Sequence, residues 1–103
     1  MINYIEKNST IFNAFSMFNK LGLKTIVVSN SNNKLLGVLS DGDLRRAILK
    51  KYNLSAKILR LYNKKPISLL DTEFTEQKCR DLFLKKELEI IPIIDKNNRI
   101  IKI

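Results

Sequence analysis

The stretch LKTIVVSNSNNKLLGV, residues Leu23–Val38, occurs a second time in the chain. It aligns without a gap on LEIIPIIDKNNRIIKI, residues Leu88–Ile103, so that Lys34 falls on Arg99 at an offset of 65. The same offset upstream pairs four more identical or similar residues: Thr10 with Thr75, Phe18 with Phe83, Lys20 with Lys85 and Ile2 with Ile67. Such self-similarity indicates two copies of one structural unit.

The first half of the unit reads as a helix followed by a hairpin. Ser9 or Thr10 can cap a helix that ends at Gly22, where a left-handed residue is favoured. Two short apolar runs, KTIVVS and KLLGVLS, flank the polar turn NSNN and predict two paired strands. The helix's apolar positions keep a period near 3.6: Ile11, Phe15, Phe18 and Leu21.

A second helix follows the hairpin at once and runs from Asp41 to Lys51. Its spacing predicts one shared face for Leu44, Ala47, Ile48 and Lys51. The next stretch, residues 55–62, predicts a short helix, and Pro66 then begins the second copy.

In the second copy a helix is predicted from Thr72 or Thr75 to Lys86, and strands at 90–94 and 99–103. Pro92 lacks an amide hydrogen and is expected at a strand edge or an unpaired position. The residues expected to point inward from this helix are Cys79, Leu82 and Phe83.

The predicted fold is α/β, with two βαββα units packed as a pseudo-two-fold pair. Residues 1–53 form the first unit, 54–65 a linker, and 66–103 a second unit that lacks its C-terminal helix. Neither copy has enough apolar area for a stable core by itself, so the two are expected to pack together.

Composition excludes several classes of function. The chain has 103 residues, no histidine and one cysteine, which removes the commonest general base, the commonest metal ligand and any internal disulfide. No apolar run approaches the ~20 residues that span a bilayer, and no signal peptide is visible. We therefore expect no catalysis by this chain, no membrane partner, and the cytoplasm as its location.

The net charge of +9 allows two interpretations. It can mark a phosphate-rich partner such as nucleic acid or a nucleotide. It can also reflect composition alone, because the lysines are spread along the chain and no block of five basic residues occurs. The second interpretation is preferred, and a nucleic-acid surface is kept as an alternative.

The string GVLSDGDLRR, residues 37–46, concentrates the candidate site residues, each of which also has a purely structural explanation. Gly37 inside a strand indicates either close approach of a ligand or a crowded strand crossing. Ser40 can cap the helix, and its position also suits an anion at the helix start. Asp43 suits the helix dipole, and a carboxylate there can also accept from adjacent hydroxyls.

The remaining charges of this string are weaker candidates. Asp41 and Asp43 form a D-x-D pattern that can hold a divalent ion, but nothing nearby completes the ligand set. Arg45 and Arg46 can bind phosphate, or lie on a solvated face. Neighbouring helical residues point ~100° apart, so at most one arginine is expected to face a given site.

The repeat and the motif together resemble the CBS domain pair, also called a Bateman module. The family pattern of Gly, two hydrophobic residues, Ser or Thr, any two residues and Asp or Asn is met by Gly37, Ser40 and Asp43. The fuller string GVLSDGDLRRAILK is similar to CBS pairs attached to bacterial sugar nucleotidyltransferases, and sugar-phosphate isomerases carry a similar TDGDLRR. The resemblance implies an N-terminal regulatory fragment of such an enzyme.

The resemblance also implies a ligand, an adenosine-type nucleotide such as AMP or ATP, and no required cofactor. Ser40 would contact its phosphate and Asp43 its ribose, while the base would stack near Thr25, Ile26 and Val27 and against apolar residues such as Ile5. Lys102 replaces the motif glycine in the second copy, so at most one competent site is expected. Homodimerisation through exposed helix faces is implied too, and a purely structural module without a ligand remains the alternative.

Overall fold

The computed structural model of the chain describes residues 4–86 and 90–102. Within these ranges two three-stranded sheets carry three helices, and each sheet pairs its first strand in parallel and its last strand antiparallel to the central one. The elements are β1 (Tyr4–Glu6), α1 (Ile11–Leu21), β2 (Thr25–Ser29), β3 (Leu35–Ser40), α2 (Asp41–Leu49), β4 (Leu69–Leu70), α3 (Glu76–Lys86), β5 (Ile93–Ile94) and β6 (Ile100–Lys102). The predicted α/β class and paired units are confirmed.

The repeat holds at the level of single residues. Helices α1 and α3 have bounds that differ by the sequence offset at both ends, and β5 matches the last two residues of β2. Both hairpins carry a bulge at the same place, after Val28 in the first sheet and after Ile93 in the second. The two sheets differ by one residue in the register of their parallel pair. Tyr4 pairs with Val27, whereas Leu69, its counterpart, pairs with Ile93 and not with Pro92.

Local signals define α1. The Thr10 hydroxyl accepts from the Asn13 amide at 3.1 Å, and the Asn13 side chain accepts from the Thr10 amide at 3.0 Å, which closes a capping box. The helix ends at Gly22, whose φ of 67° permits its amide to donate to the Phe18 carbonyl. Both predicted helix boundaries are therefore confirmed.

The main core lies between the first sheet and helices α1 and α2. Successive residues of β2 point to opposite faces, so Ile26 and Val28 enter this core while Val27 faces the second unit. Val27 packs there with Leu35 and Ile100, which form the small core between the units. The buried members of the main core are Ile5, Ile11, Ala14, Phe18, Ile26, Val28, Leu39, Leu44, Ala47 and Ile58.

The two units are joined by a reciprocal exchange between their hairpin turns. The Leu35 amide donates to Asn98 O at 2.9 Å, and the Ile100 amide donates to Asn33 O at 2.9 Å. The Asn33 side chain donates to Ile100 O and the Asn98 side chain to Leu35 O, at 2.9 and 2.8 Å. Each contact has its counterpart at the sequence offset, so a pseudo-two-fold axis passes between the turns.

The helix predicted at residues 55–62 is wrong. The first amides of α1 lack partners inside that helix, and the linker supplies them: Ile11 donates to Ala56 O and Phe12 to Leu54 O, at 2.9 and 3.0 Å. The Ile58 amide in turn donates to Ser9 O. Backbone groups used in this way cannot form a helix, and the linker runs as a series of turns and bends beside the start of α1.

The helix predicted from Asp41 to Lys51 ends at Leu49, and the inward orientation predicted for Phe83 is wrong. Of the four residues placed on one face of α2, Leu44 and Ala47 are buried, whereas Ile48 and Lys51 are exposed. Phe83 on α3 is 37% exposed, since no element of the described second unit covers that face. Of the residues predicted in β6, Ile103 lies outside the described residues.

Candidate functional site

The candidate site begins where β3 passes directly into α2. Ser40 is the last residue of β3 and the N-cap of α2, with extended φ and ψ of −109° and 160°. Its hydroxyl accepts from the Asp43 amide at 3.1 Å, and its own amide donates to Asp43 Oδ2 at 2.9 Å. Ser40 and Asp43 thus fix each other in a capping box at the positive end of the helix.

The second oxygen of the Asp43 carboxylate also has a partner. Arg46 Nη2 lies 2.5 Å from Asp43 Oδ1, one helical turn further on. The Asp43 side chain is 19% exposed, whereas the Arg46 side chain is 65% exposed. A hydroxyl that approaches Oδ1 therefore meets an exposed guanidinium rather than a buried group.

Asp41 forms a looser pair with Arg45, whose Nη2 lies 3.5 Å from Asp41 Oδ2. A Cβ built on Gly42 would lie 3.3 Å from Arg46 Nη1 and 3.9 Å from Arg45 Nη2. Both guanidinium groups therefore lie within 4 Å of the position of a Cβ on Gly42, but each pairs with a different aspartate, Arg45 with Asp41 and Arg46 with Asp43. In residues 4–86 and 90–102 no group of three or more His, Cys, Asp or Glu side chains could hold a metal ion.

Gly37 lies where the linker crosses β3. The Val38 amide donates to Asn63 O at 3.0 Å and the Asn63 amide donates to Val38 O at 2.8 Å. A Cβ on Gly37 would overlap the Asn63 carbonyl oxygen and come within 2.6 Å of the Tyr62 ring. The crowded strand crossing accounts for this glycine, and the space on its Cβ side is taken by protein.

The residues expected around a base are distributed over three environments. Thr25 is half-buried and pairs with Ser40 across the sheet, so it lies beside the motif. Ile5 and Ile26 are buried in the main core, and Val27 is buried between the units. Only Thr25 among these four offers a partly accessible side chain next to Ser40.

The sequence interpretation missed two features of this region. Tyr62 and Asn63 form the wall over Gly37, and nothing local in the linker sequence indicates that crossing. The Asp43–Arg46 pair, in contrast, has the three-residue spacing that joins side chains on one helix face, so the spacing alone could have indicated it.

Comparison with known proteins is consistent with this geometry. Residues 2–50 match the model of the CBS domain family, and this match ends just after α2. An uncharacterized protein of Helicobacter pylori (strain J99 / ATCC 700824) is 29% identical over 79 residues, which cover 77% of this chain and 24% of that protein. The matched region therefore spans about a quarter of that relative's length.

Two solved structures share the fold. The CBS domain protein PAE2072 from Pyrobaculum aerophilum, complexed with AMP, superposes with a TM-score of 0.78 at 17% identity, covering 97% of this chain and 76% of that one. CBSX2 in complex with AMP gives a TM-score of 0.78 at 20% identity, covering 97% and 78%. The described residues also include no helix that is long and apolar enough to cross a membrane.

Proposed function

We propose that this chain is a regulatory CBS pair that binds an adenosine-type nucleotide, such as AMP or ATP, at the start of α2. In this proposal the chain itself catalyses nothing and works in the cytoplasm. The observation that carries it is the Ser40–Asp43 pair, which presents a hydroxyl and a carboxylate together at a helix N-terminus. AMP complexes of two proteins with this fold support the choice of ligand.

The proposed contacts follow from the chemistry of the pair. Adjacent ribose hydroxyls would donate to Asp43 Oδ1 in place of Arg46, whose exposed guanidinium leaves at small cost. The Ser40 hydroxyl still has its hydrogen to donate to a phosphate oxygen, since in the capping box it acts as an acceptor. Arg45 and Arg46 both reach the neighbourhood of Gly42, so a phosphate at the helix start would meet Arg45 and could accept from Arg46 once it leaves Asp43.

The larger role is part of the same proposal. We propose that nucleotide binding changes the orientation of an attached sugar nucleotidyltransferase, the enzyme class that the string GVLSDGDLRRAILK favours. The length of the Helicobacter relative leaves room for such a domain. The size of the effect would be limited by the difference in nucleotide affinity between the two orientations.

A binding comparison of two isosteric variants tests the site. Asp43→Asn and Asp41→Asn each remove one negative charge from the first turn of α2, and the new amide oxygen at position 43 can still accept from the Ser40 amide. We expect Asp43→Asn to weaken AMP or ATP binding in calorimetry by at least tenfold, and Asp41→Asn by less than threefold. Equal losses in both variants would mean that only the charge of the helix start matters.

A purely structural role is the second candidate, and two observations favour it. Both oxygens of Asp43 already have partners within the chain, and the linker fills the space beside Gly37. If neither AMP, ATP, GMP, CMP nor S-adenosylmethionine raises the melting temperature of the wild-type protein, this candidate replaces nucleotide sensing. Salt-sensitive binding of arbitrary RNA would favour the basic-surface alternative instead.

We also propose homodimerisation through the helices, supported by large apolar side chains on their outer faces. Phe12 on α1 and Leu49 on α2 are 59% and 81% exposed. Burial of such residues is a usual source of association energy. If the interface is formed by α1 and α2, Leu49→Glu shifts the sedimentation coefficient from dimer to monomer, whereas Leu84→Glu, at an equally exposed position on α3, leaves it unchanged.

A further inference from the structure

A cleft next to the helix start lies between α2 and the linker. One wall is formed by Asp43, Arg46 and Ala47 of α2 and by Lys50, the C-cap residue of that helix, at helical spacing. The opposite wall is Tyr52, which follows the helix, with Arg60 and Leu61 from the linker. The cleft has a volume of about 160 Å³, so it suits a small group rather than a whole nucleotide.

Backbone contacts hold the two walls in place. Lys51 adopts a φ of 66°, and this left-handed turn lets the Tyr52 amide donate to Ala47 O at 3.0 Å and the Lys51 amide to Ile48 O at 2.9 Å. On the other side the Leu61 amide donates to Ile58 O at 2.8 Å, and the Ile58 side chain is fully buried in the main core. The cleft therefore exists before any ligand enters it.

The charge of the cleft is unbalanced. Three cationic side chains, Arg46, Lys50 and Arg60, line it together with one carboxylate, Asp43, which pairs with Arg46. No ion pair of the described residues includes Lys50 or Arg60, so both face the cleft without a carboxylate partner. Like charges that converge in this way repel one another, and a bound anion relieves the repulsion.

Phosphate is the anion that this set of donors suits best. Each guanidinium presents a planar fork that matches two phosphate oxygens, and a lysine ammonium adds a compact charge. We propose that this cleft binds a phosphate group, either inorganic phosphate or the phosphoryl group of a small phosphomonoester. The cleft adjoins the proposed nucleotide site, because Asp43 and Arg46 border both, whereas Lys50 and Arg60 line the cleft alone.

The test uses the full chain without any nucleotide and follows backbone amides by ¹H–¹⁵N NMR. Inorganic phosphate and glucose 6-phosphate are titrated separately at constant ionic strength, balanced with sodium chloride. We expect saturable shifts of the Lys51, Tyr52 and Leu61 amides, with an apparent Kd that rises about tenfold in Arg60→Gln and in Lys50→Gln. Saturation by glucose 6-phosphate but not by inorganic phosphate would support the site and identify a phosphomonoester as its ligand.

Arg80→Gln is the matched control, because it removes one exposed arginine from α3 in the other unit. Its titration should follow that of the wild type. The proposal is overturned if neither probe gives saturable shifts at these amides, or if Arg60→Gln and Arg80→Gln change the Kd equally. The calorimetric test of nucleotide binding can fail whichever result this titration gives. Failure of one proposal therefore does not imply failure of the other.

Discussion

Helices α1 and α3 occupy equivalent positions in the two units, yet they bury very different surfaces. Helix α1 buries Ile11, Ala14 and Phe18. The residues at the same offset on α3 are Glu76, which is exposed, Cys79, which is half-buried, and Phe83, which is 37% exposed. The two units thus share one backbone arrangement, but α1 is buried on one face and α3 is not buried to the same extent.

The difference arises from what covers each helix. In the first unit α2 supplies Leu44 and Ala47, and the linker supplies Ile58, so α1 is enclosed. In the described second unit no element covers α3 in the same way. That unit is held largely through Ile100, whose carbonyl accepts from the Asn33 side chain and whose side chain packs with Val27 and Leu35. The comparison teaches that caps and turns specify the repeated fold, whereas neighbouring elements decide where the stability lies.

The phenylalanine pair gives the largest expected contrast. Phe18→Ala removes a side chain that is 7% exposed in the main core and should lower the free energy of unfolding by ~3–5 kcal/mol. Phe83→Ala, at the equivalent position, should cost only ~1 kcal/mol because that ring is partly solvated already. Urea denaturation followed by far-UV circular dichroism measures both.

If Phe18→Ala and Phe83→Ala lowered the free energy of unfolding equally, the second unit would have a core comparable to the first. The inferred difference between α1 and α3 would then be wrong. Leu84→Ala provides the baseline, since Leu84 is largely exposed on the same helix. Its effect should stay within ~0.5 kcal/mol.

Gly37 gives the next largest effect. An alanine methyl there would overlap the backbone of Asn63 and the ring of Tyr62, and a backbone neighbour cannot move aside by changing rotamer. We expect Gly37→Ala to lower the free energy of unfolding by ~3 kcal/mol, in the range of overpacked cores. The measurement is again urea denaturation.

Gly42→Ala is the matched control for the same chemical change. Its nearest neighbour would be the flexible end of Arg46 at 3.3 Å, and alanine favours a helix more than glycine does. This variant should be as stable as the wild type or slightly more so. A Gly37→Ala protein of wild-type stability would show that the linker crossing is loose, and a ligand could then approach Gly37.

These contrasts also mark what the sequence could and could not predict. Thr10, Gly22 and Ser40 act through residues at most four positions away, so their roles were readable from local spacing. The contact between Gly37 and Asn63 joins residues far apart in the chain, and the exposure of Phe83 depends on elements that its own segment does not contain. The Gly37–Asn63 contact and the exposure of Phe83 depend on residues distant in the chain, so local sequence patterns could not predict them.

The two asparagines that join the units should give equal and smaller effects. Asn33→Ala and Asn98→Ala each remove one hydrogen bond between the units and place alanine at a positive φ, of 60° or 65°. We expect each to lower the free energy of unfolding by ~1–2 kcal/mol. Asn32→Ala, in the same turn, is the control, because the Asn32 side chain takes no part in the exchange between the units. A loss confined to one of the pair would contradict the pseudo-two-fold exchange.

The smallest effect concerns the first residue of each turn, which is a neutral acceptor in the first unit and an acidic one in the second. Asn30 Oδ1 accepts from the Asn32 and Lys34 amides, at 2.9 and 3.1 Å. In the second unit Asp95 Oδ1 accepts the equivalent pair, from Asn97 and Arg99, at 2.8 and 2.9 Å. The amide of Arg99 holds the pKa of Asp95 below its ordinary value of 3.8.

The sign of the pH dependence follows from that lowered pKa. The ionised form of Asp95 is favoured in the folded chain, so its contribution is fully present above pH 3.8 and is lost as the pH falls through the folded pKa. The first turn has no such dependence, because Asn30 does not titrate. An NMR titration of the Asp95 carboxyl carbon should therefore show a midpoint below 3.8, and Asp95→Asn should gain stability relative to the wild type as the pH is lowered. A midpoint at or above 3.8 would mean that the two turns, although alike in geometry, do not hold their acceptor oxygens equally well.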